Sequence, residues 1–83
     1  MDHSTGKRIQ EEIIQMIREG GVNEGARLPS ERALSQRFNV SRNTIREAIR
    51  ALAEQGVVIS RRGSGSYVTP NARGRIEDIS SPF

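Results

Sequence analysis

The sequence predicts an α+β fold, three helices followed by a small antiparallel β-sheet. Helical apolar spacing occurs twice, at Ile9, Ile13, Met16 and Ile17 and at Ile45, Ala48, Ile49 and Leu52, and each set forms one stripe along a helix. Between them, Leu28 to Asn39 carries the punctuation of a further short helix. Two β-branched or aromatic runs, Val57-Val58-Ile59 and Tyr67-Val68-Thr69, flank a glycine-bearing turn, which is the pattern of a hairpin.

The first helix is expected over residues 7–19, after a flexible N-terminus of residues 1–6. Ser4 or Thr5 is available to cap it, and Gly20-Gly21 stops it. The loop after it contains Asn23 and Gly25, and Arg27-Leu28 reads as a short extended piece. Pro29 disfavours helix at Leu28. Ser30 is a good N-cap for a second helix, with Glu31 suited to its first turn. Leu34 and Phe38, four apart, share a face. Asn39 can take the left-handed conformation that ends a helix. Ser41 can cap a third helix over about residues 41–55, and Gly56 is placed to close it. A strand, a basic turn at residues 61–66 and a second strand ending at Pro70 complete the domain, which is expected over residues 7–69. Residues 70–83 hold few apolar side chains and read as a linker or tail.

With 83 residues and 34% hydrophobic content, the chain is sized for one domain with a small core. No cysteine is present, which excludes disulfides and thiolate metal sites. The single histidine, His3, lies at the terminus. No apolar run approaches the ~20 residues that span a bilayer, and the first residues lack a basic start and apolar run. A soluble, cytoplasmic protein is expected, with no membrane partner, cofactor or metal. No general-base constellation is present. Glu31, Glu47 and Glu54 are interspersed with arginines and are better suited to orienting them than to acid–base chemistry, so the expectation is a protein that is not an enzyme. The glycine-rich turn is followed by a strand rather than a helix, so it lacks the geometry of a phosphate cradle.

The net charge is +3, but residues 27–62 hold eight arginines against three glutamates, a local balance of +5. That is the footprint of a polyanion-binding surface. On the third helix, Asn43, Arg46, Glu47, Arg50 and Glu54 lie opposite the apolar stripe, with Arg42 and Thr44 flanking them near its start. A short helix pinned by one face, with arginines and an amide on the other, suits a DNA major groove. There arginine reads guanine O6 and N7, and asparagine pairs with adenine. The architecture is a winged helix-turn-helix, with a recognition helix and a cationic hairpin able to touch phosphates or enter a minor groove. The rival readings are an amphipathic helix with a solvated face and a winged helix that binds an acidic protein partner.

Taken in order, Leu28-Pro29-Ser30-Glu31-Arg32, Val40-Ser41-Arg42, Ile45-Arg46-Glu47-Ala48, Leu52 with Gly56, and Arg62-Gly63-Ser64-Gly65-Ser66-Tyr67-Val68 closely resemble the DNA-binding domain of the GntR family of bacterial transcription regulators. Arg46-Glu47-Ala48 looks most like its FadR-like branch. The resemblance implies a homodimer on a near-palindromic double-stranded DNA operator, in the bacterial cytoplasm and at the nucleoid when bound. A small-molecule effector would bind a C-terminal domain that this chain lacks; some relatives carry an aminotransferase-like domain there. By resemblance, Arg32, Arg42 and Arg46 read bases, Ser41, Asn43 and Thr44 bond phosphates or base edges, and Gly63 with Arg62 and Ser64 places the wing in the minor groove. Two positions depart from the family pattern. Glu24 stands where a proline is common, and Asn43 where threonine or another small polar residue is usual.

Overall fold

The computed structural model describes residues 3–80. Its elements run α1 (His3–Arg18), α2 (Glu31–Phe38), α3 (Arg42–Glu54), β1 (Val58–Arg61), β2 (Gly65–Val68) and α4 (Ala72–Ser80). The four helices surround one apolar cluster, and the antiparallel pair β1–β2 projects beside it as the wing.

The first three helices end in the same way. Gly20, Asn39 and Gly56 are left-handed, and the residue after each returns an N–H to the carbonyl of the last turn: Gly21 to Met16, Val40 to Ser35 and Val57 to Leu52. This closure satisfies carbonyls that a helix end leaves orphaned. Ser30 and Ser41 cap α2 and α3, accepting the N–H groups of Ala33 and Thr44. These caps and stops fall where the residue types predict.

The core is built from the predicted stripes. Ile9, Ile13 and Ile17 of α1 pack with Ile45, Ala48, Ile49 and Leu52 of α3, and Leu34 of α2 joins them. The register of the wing is Val58↔Val68, Ile59↔Tyr67, Ser60↔Ser66 and Arg61↔Gly65. The expected extended piece at Arg27-Leu28 lies against β2. Arg27 bridges Tyr67, and Leu28 N–H donates to the Ser66 carbonyl at 2.8 Å. The pairing carries the strands further into the basic turn than expected, leaving Arg62, Gly63 and Ser64 as its tip.

Two expectations at the ends of the chain are corrected. The helix begins at His3, so residues 3–6 are not a flexible lead-in, and Ser4 and Thr5 lie inside α1 rather than capping it. No proline interrupts that stretch, and one interior glycine, Gly6, costs only about 1 kcal/mol, so the helix extends outward from Ile9. The rest of the expected lead-in, residues 1–2, lies outside the described residues.

Residues 72–80, read as tail, form α4. Its Ala72 and Ile76, four apart on one face, are buried in the common core. A pair too small to make its own core suffices to complete an existing one. The Arg73 N–H donates to the Glu24 carboxylate at 3.0 Å, and its guanidinium donates to the Ile17 carbonyl at 3.4 Å, at the end of α1. Glu24, the departure from the family proline, thus holds the start of α4. Residues 81–83 of the expected tail lie outside the described residues.

Candidate nucleic-acid interface

Burial of Ile45, Ala48, Ile49 and Leu52 fixes the rotation of α3, and at 3.6 residues per turn the opposite flank must face solvent. Arg42, Asn43, Arg46, Glu47 and Arg50 are all exposed. The side chains of Arg42 and Arg46 retain 62% and 50% of their accessible surface, so neither is turned inward or covered by the domain. Glu31, in the first turn of α2, reaches across to both. Arg46 donates to it through Nε at 3.2 Å and Nη2 at 3.0 Å, and Arg42 Nη2 stands 3.6 Å away. The hydrogen bond from Arg46 holds the Glu31 carboxyl below its ordinary value; burial opposes it, and the charges of Arg46 and Arg42 add to the lowering. Glu31 in turn raises Arg46. Glu47 pairs more loosely with Arg50, at 3.7 Å.

Ser41 and Thr44 hydroxyls lie 2.9 Å apart, and Ser41 also accepts the Thr44 N–H at 3.1 Å. Both are therefore engaged in starting α3, with remaining hydrogen-bonding capacity at its positive N-terminus. A groove between this end of α3, the start of α2 and the start of β2 is lined by Arg27, Arg32, Arg42, Glu31, Gly65 and Ser66. The Arg27 guanidinium lies directly over Gly65. A Cβ at Gly65 would meet Arg27 Nε at 2.9 Å, and the backbone there has φ +121, so only glycine suits the position.

The wing tip carries Arg62 and Gly63, both exposed, with Gly63 at φ +74. Ser64 is partly buried, and its hydroxyl lies 2.6 Å from the Tyr67 hydroxyl. Arg61 lies over the Tyr67 ring, 5.3 Å from its centroid. The wing is therefore braced around Tyr67, with Arg62 left to the solvent at the apex.

Residues 5–68 match the family described as bacterial regulatory proteins, gntR family. The chain belongs to the GntR family. Among its relatives are the HTH-type transcriptional repressor NanR of Klebsiella aerogenes, 44% identical over 73 residues, and the mannosyl-D-glycerate transport/metabolism system repressor MngR of Escherichia coli, 44% identical over 62 residues. These alignments cover 87% and 75% of this chain but 28% and 26% of the relatives. The chain thus spans about a quarter of the length of the curated relatives it matches. A GntR family regulator from Listeria monocytogenes superposes with a TM-score of 0.83 at 29% identity, over 96% of this chain and 75% of that one. AraR(DBD), solved in complex with an operator, superposes with a TM-score of 0.74 at 38% identity, over 78% of each chain.

Within this GntR winged helix, the residues singled out from sequence fall into two groups. Arg32 and Arg42 share the groove beside the wing, while Arg46 joins Arg42 through Glu31. Asn43 is exposed on the first turn of α3, and Ser41 and Thr44 form its cap. Arg62 and Gly63 stand separately at the wing tip, and Ser64 is occupied by Tyr67. Among the residues of this surface outside the sequence-derived site, Arg27 and Glu31 matter most to its geometry. Arg27 belongs to the basic segment but has no motif of its own; only the pairing of its backbone with β2 brings it to the groove. Glu31 was legible as a partner for arginines but not for which of them.

Proposed function

We propose that this chain is the operator-binding domain of a bacterial transcription regulator, recognising double-stranded DNA by sequence. The recognition helix, residues 41–55, enters the major groove, and the wing, residues 61–66, enters the adjacent minor groove. The observation that carries this reading is the outward flank of α3, where Arg42 and Arg46 project from a helix locked by its buried stripe. Arg32, Arg42 and Arg46 read base edges, Ser41, Asn43 and Thr44 bond phosphates or bases, and Arg62, Gly63 and Ser64 bring the wing to its groove. The operator complexes of AraR(DBD) support DNA as the partner.

The function is exerted by occupancy rather than catalysis; that NanR and MngR are named as repressors supports repression as its outcome. In the complete regulator, a homodimer in the bacterial cytoplasm reads a near-palindromic operator. A small-molecule effector acts through a further domain, consistent with the greater length of the relatives. Selection of bound duplexes from a random pool tests the reading. Enrichment of a defined half-site, bound tighter than random duplex by about 1,000-fold or more at moderate salt, is expected. Recovery of no preferred sequence would refute it and favour a winged helix that docks on an acidic protein.

A further inference from the structure

The Glu31 carboxylate holds the two outward arginines unequally. Arg46 is gripped along one edge, by Nε and Nη2, whereas Arg42 is met at a single nitrogen, 3.6 Å away. A guanidinium carries five N–H donors in a rigid plane. With Nε–H and one Nη2 hydrogen engaged, the donors left to Arg46 are those of Nη1 and the second hydrogen of Nη2. These form the end-on fork that matches guanine O6 and N7.

We infer that Glu31 is a positioning residue for base reading, fixing the end-on fork of Arg46 toward the major groove so that this arginine selects guanine. The inference rests on the operator reading and assigns it a specificity determinant outside the recognition helix. Several features converge on it. The Ser30 cap fixes Glu31 in the first turn of α2, where the positive helix end favours a carboxylate. Glu31 retains only 30% of its side-chain surface, so it is itself held in place. A free arginine must lose rotamer entropy on contact, and a pinned one has lost it already. The carboxylate also opposes the approach of phosphates, so Glu31 weakens binding to any duplex while favouring the right one. Specificity, a difference of affinities, gains from the pinned fork, because a repulsion common to every duplex cancels in that difference. The looser Arg42 keeps more freedom to adapt.

The test uses the full chain, its selected duplex and a random duplex, with wild type, Glu31→Gln, Arg46→Ala and the double variant. Thermal melting establishes that each is folded. In the free protein, the Arg46 Nε–H resonance is expected to exchange slowly in wild type and to lose that protection in Glu31→Gln. On DNA, Glu31→Gln is expected to lower the ratio of selected to random affinity roughly ten-fold, the scale of one bidentate base contact. The loss falls at the base pair whose preference Arg46→Ala abolishes, and random-duplex binding is undiminished or tighter. In the Arg46→Ala background, Glu31→Gln should not lower the ratio further. An Arg46 Nε–H as labile as those of other exposed arginines overturns the inference before DNA is added. So does a high wild-type ratio that Glu31→Gln leaves unchanged, or an equal fall without Arg46, which would make Glu31 a reader in its own right. A wild type with no preference for any duplex overturns the operator reading, and this inference with it.

Discussion

Arg42 and Arg46 project because Ile45 and Ile49 beside them do not. Replacing either arginine with alanine is expected to cost about 1–3 kcal/mol on the selected duplex and to relax preference at one base pair. Competition titrations check this, and equal weakening on selected and random duplexes would remove the base-reading role. Glu31 makes a separate prediction about pH. Its folded-state value is depressed, so the stability it contributes is fully present above its unfolded value and is lost as pH falls through the lower folded value. The stability difference between wild type and Glu31→Gln, measured by denaturant unfolding, should be constant above the ordinary glutamate value of 4.5 and shrink below it. A difference that persists unchanged into strong acid would count against the ion pair. The outward arginines were legible because helical periodicity alone separates the two flanks of α3. The grip of Glu31 on Arg46 in particular was not, since the partners lie fifteen residues apart and meet only once α2 packs on α3. Nor was the engagement of the Ser64 hydroxyl, which depends on the turn bringing Tyr67 back to it.

The start of α3 carries several of the residues proposed to contact DNA, so its cap matters to function as well as to stability. Ser41→Ala should cost about 1 kcal/mol of folding stability and loosen the first turn that presents Arg42 and Asn43. Urea unfolding measures the former, and the affinity ratio between selected and random duplexes the latter. The wing predicts a different signature. Arg62, at its apex and free of the brace around Tyr67, should neutralise one phosphate, so Arg62→Ala would reduce the slope of log affinity against log salt by about one. An unchanged slope would argue against a wing contact with the backbone. Helix stops and the caps of α2 and α3 could be read from sequence because they depend on residue type at one position: a glycine or asparagine for left-handed backbone, a serine hydroxyl for an orphan N–H. The start of α1 and the inner ends of the strands carry no such mark. The first follows from helix propagation beyond the anchored Ile9, and the second from cross-strand pairing of Arg61 with Gly65.

At the scale of the whole molecule, α4 makes the domain larger than its DNA-reading parts. Three apolar residues, Ala72, Ile76 and Ile79, among arginines, a glycine and acids did not identify it in the sequence, because burial on this helix exists only against a core assembled by earlier elements. Its attachment is specific all the same. Ala72 and Ile76 are buried, the Arg73 backbone is held by Glu24, and the Arg73 side chain meets the end of α1, where a cation is favoured by the helix dipole. The Arg75 guanidinium covers Gly56, 3.3 Å from where a Cβ would stand, beside the end of α3. Ile76→Ala should therefore destabilise the domain by about 2–5 kcal/mol, the cost of a large-to-small change at a fully buried site. Alanine at the exposed Glu77 should change stability by less than about 0.5 kcal/mol. Thermal and urea unfolding of the two variants decide the matter, and equal melting temperatures would show α4 to be an appended segment rather than part of the core. Because α4 packs on α1 and meets α3 beside its C-terminal end, at Gly56, whereas Arg42 and Arg46 stand near its start, the folded fraction of Ile76→Ala should keep the affinity ratio of wild type. A variant that lost stability and sequence preference together would instead show that the seat of α4 and the presentation of α3 are coupled through the shared core.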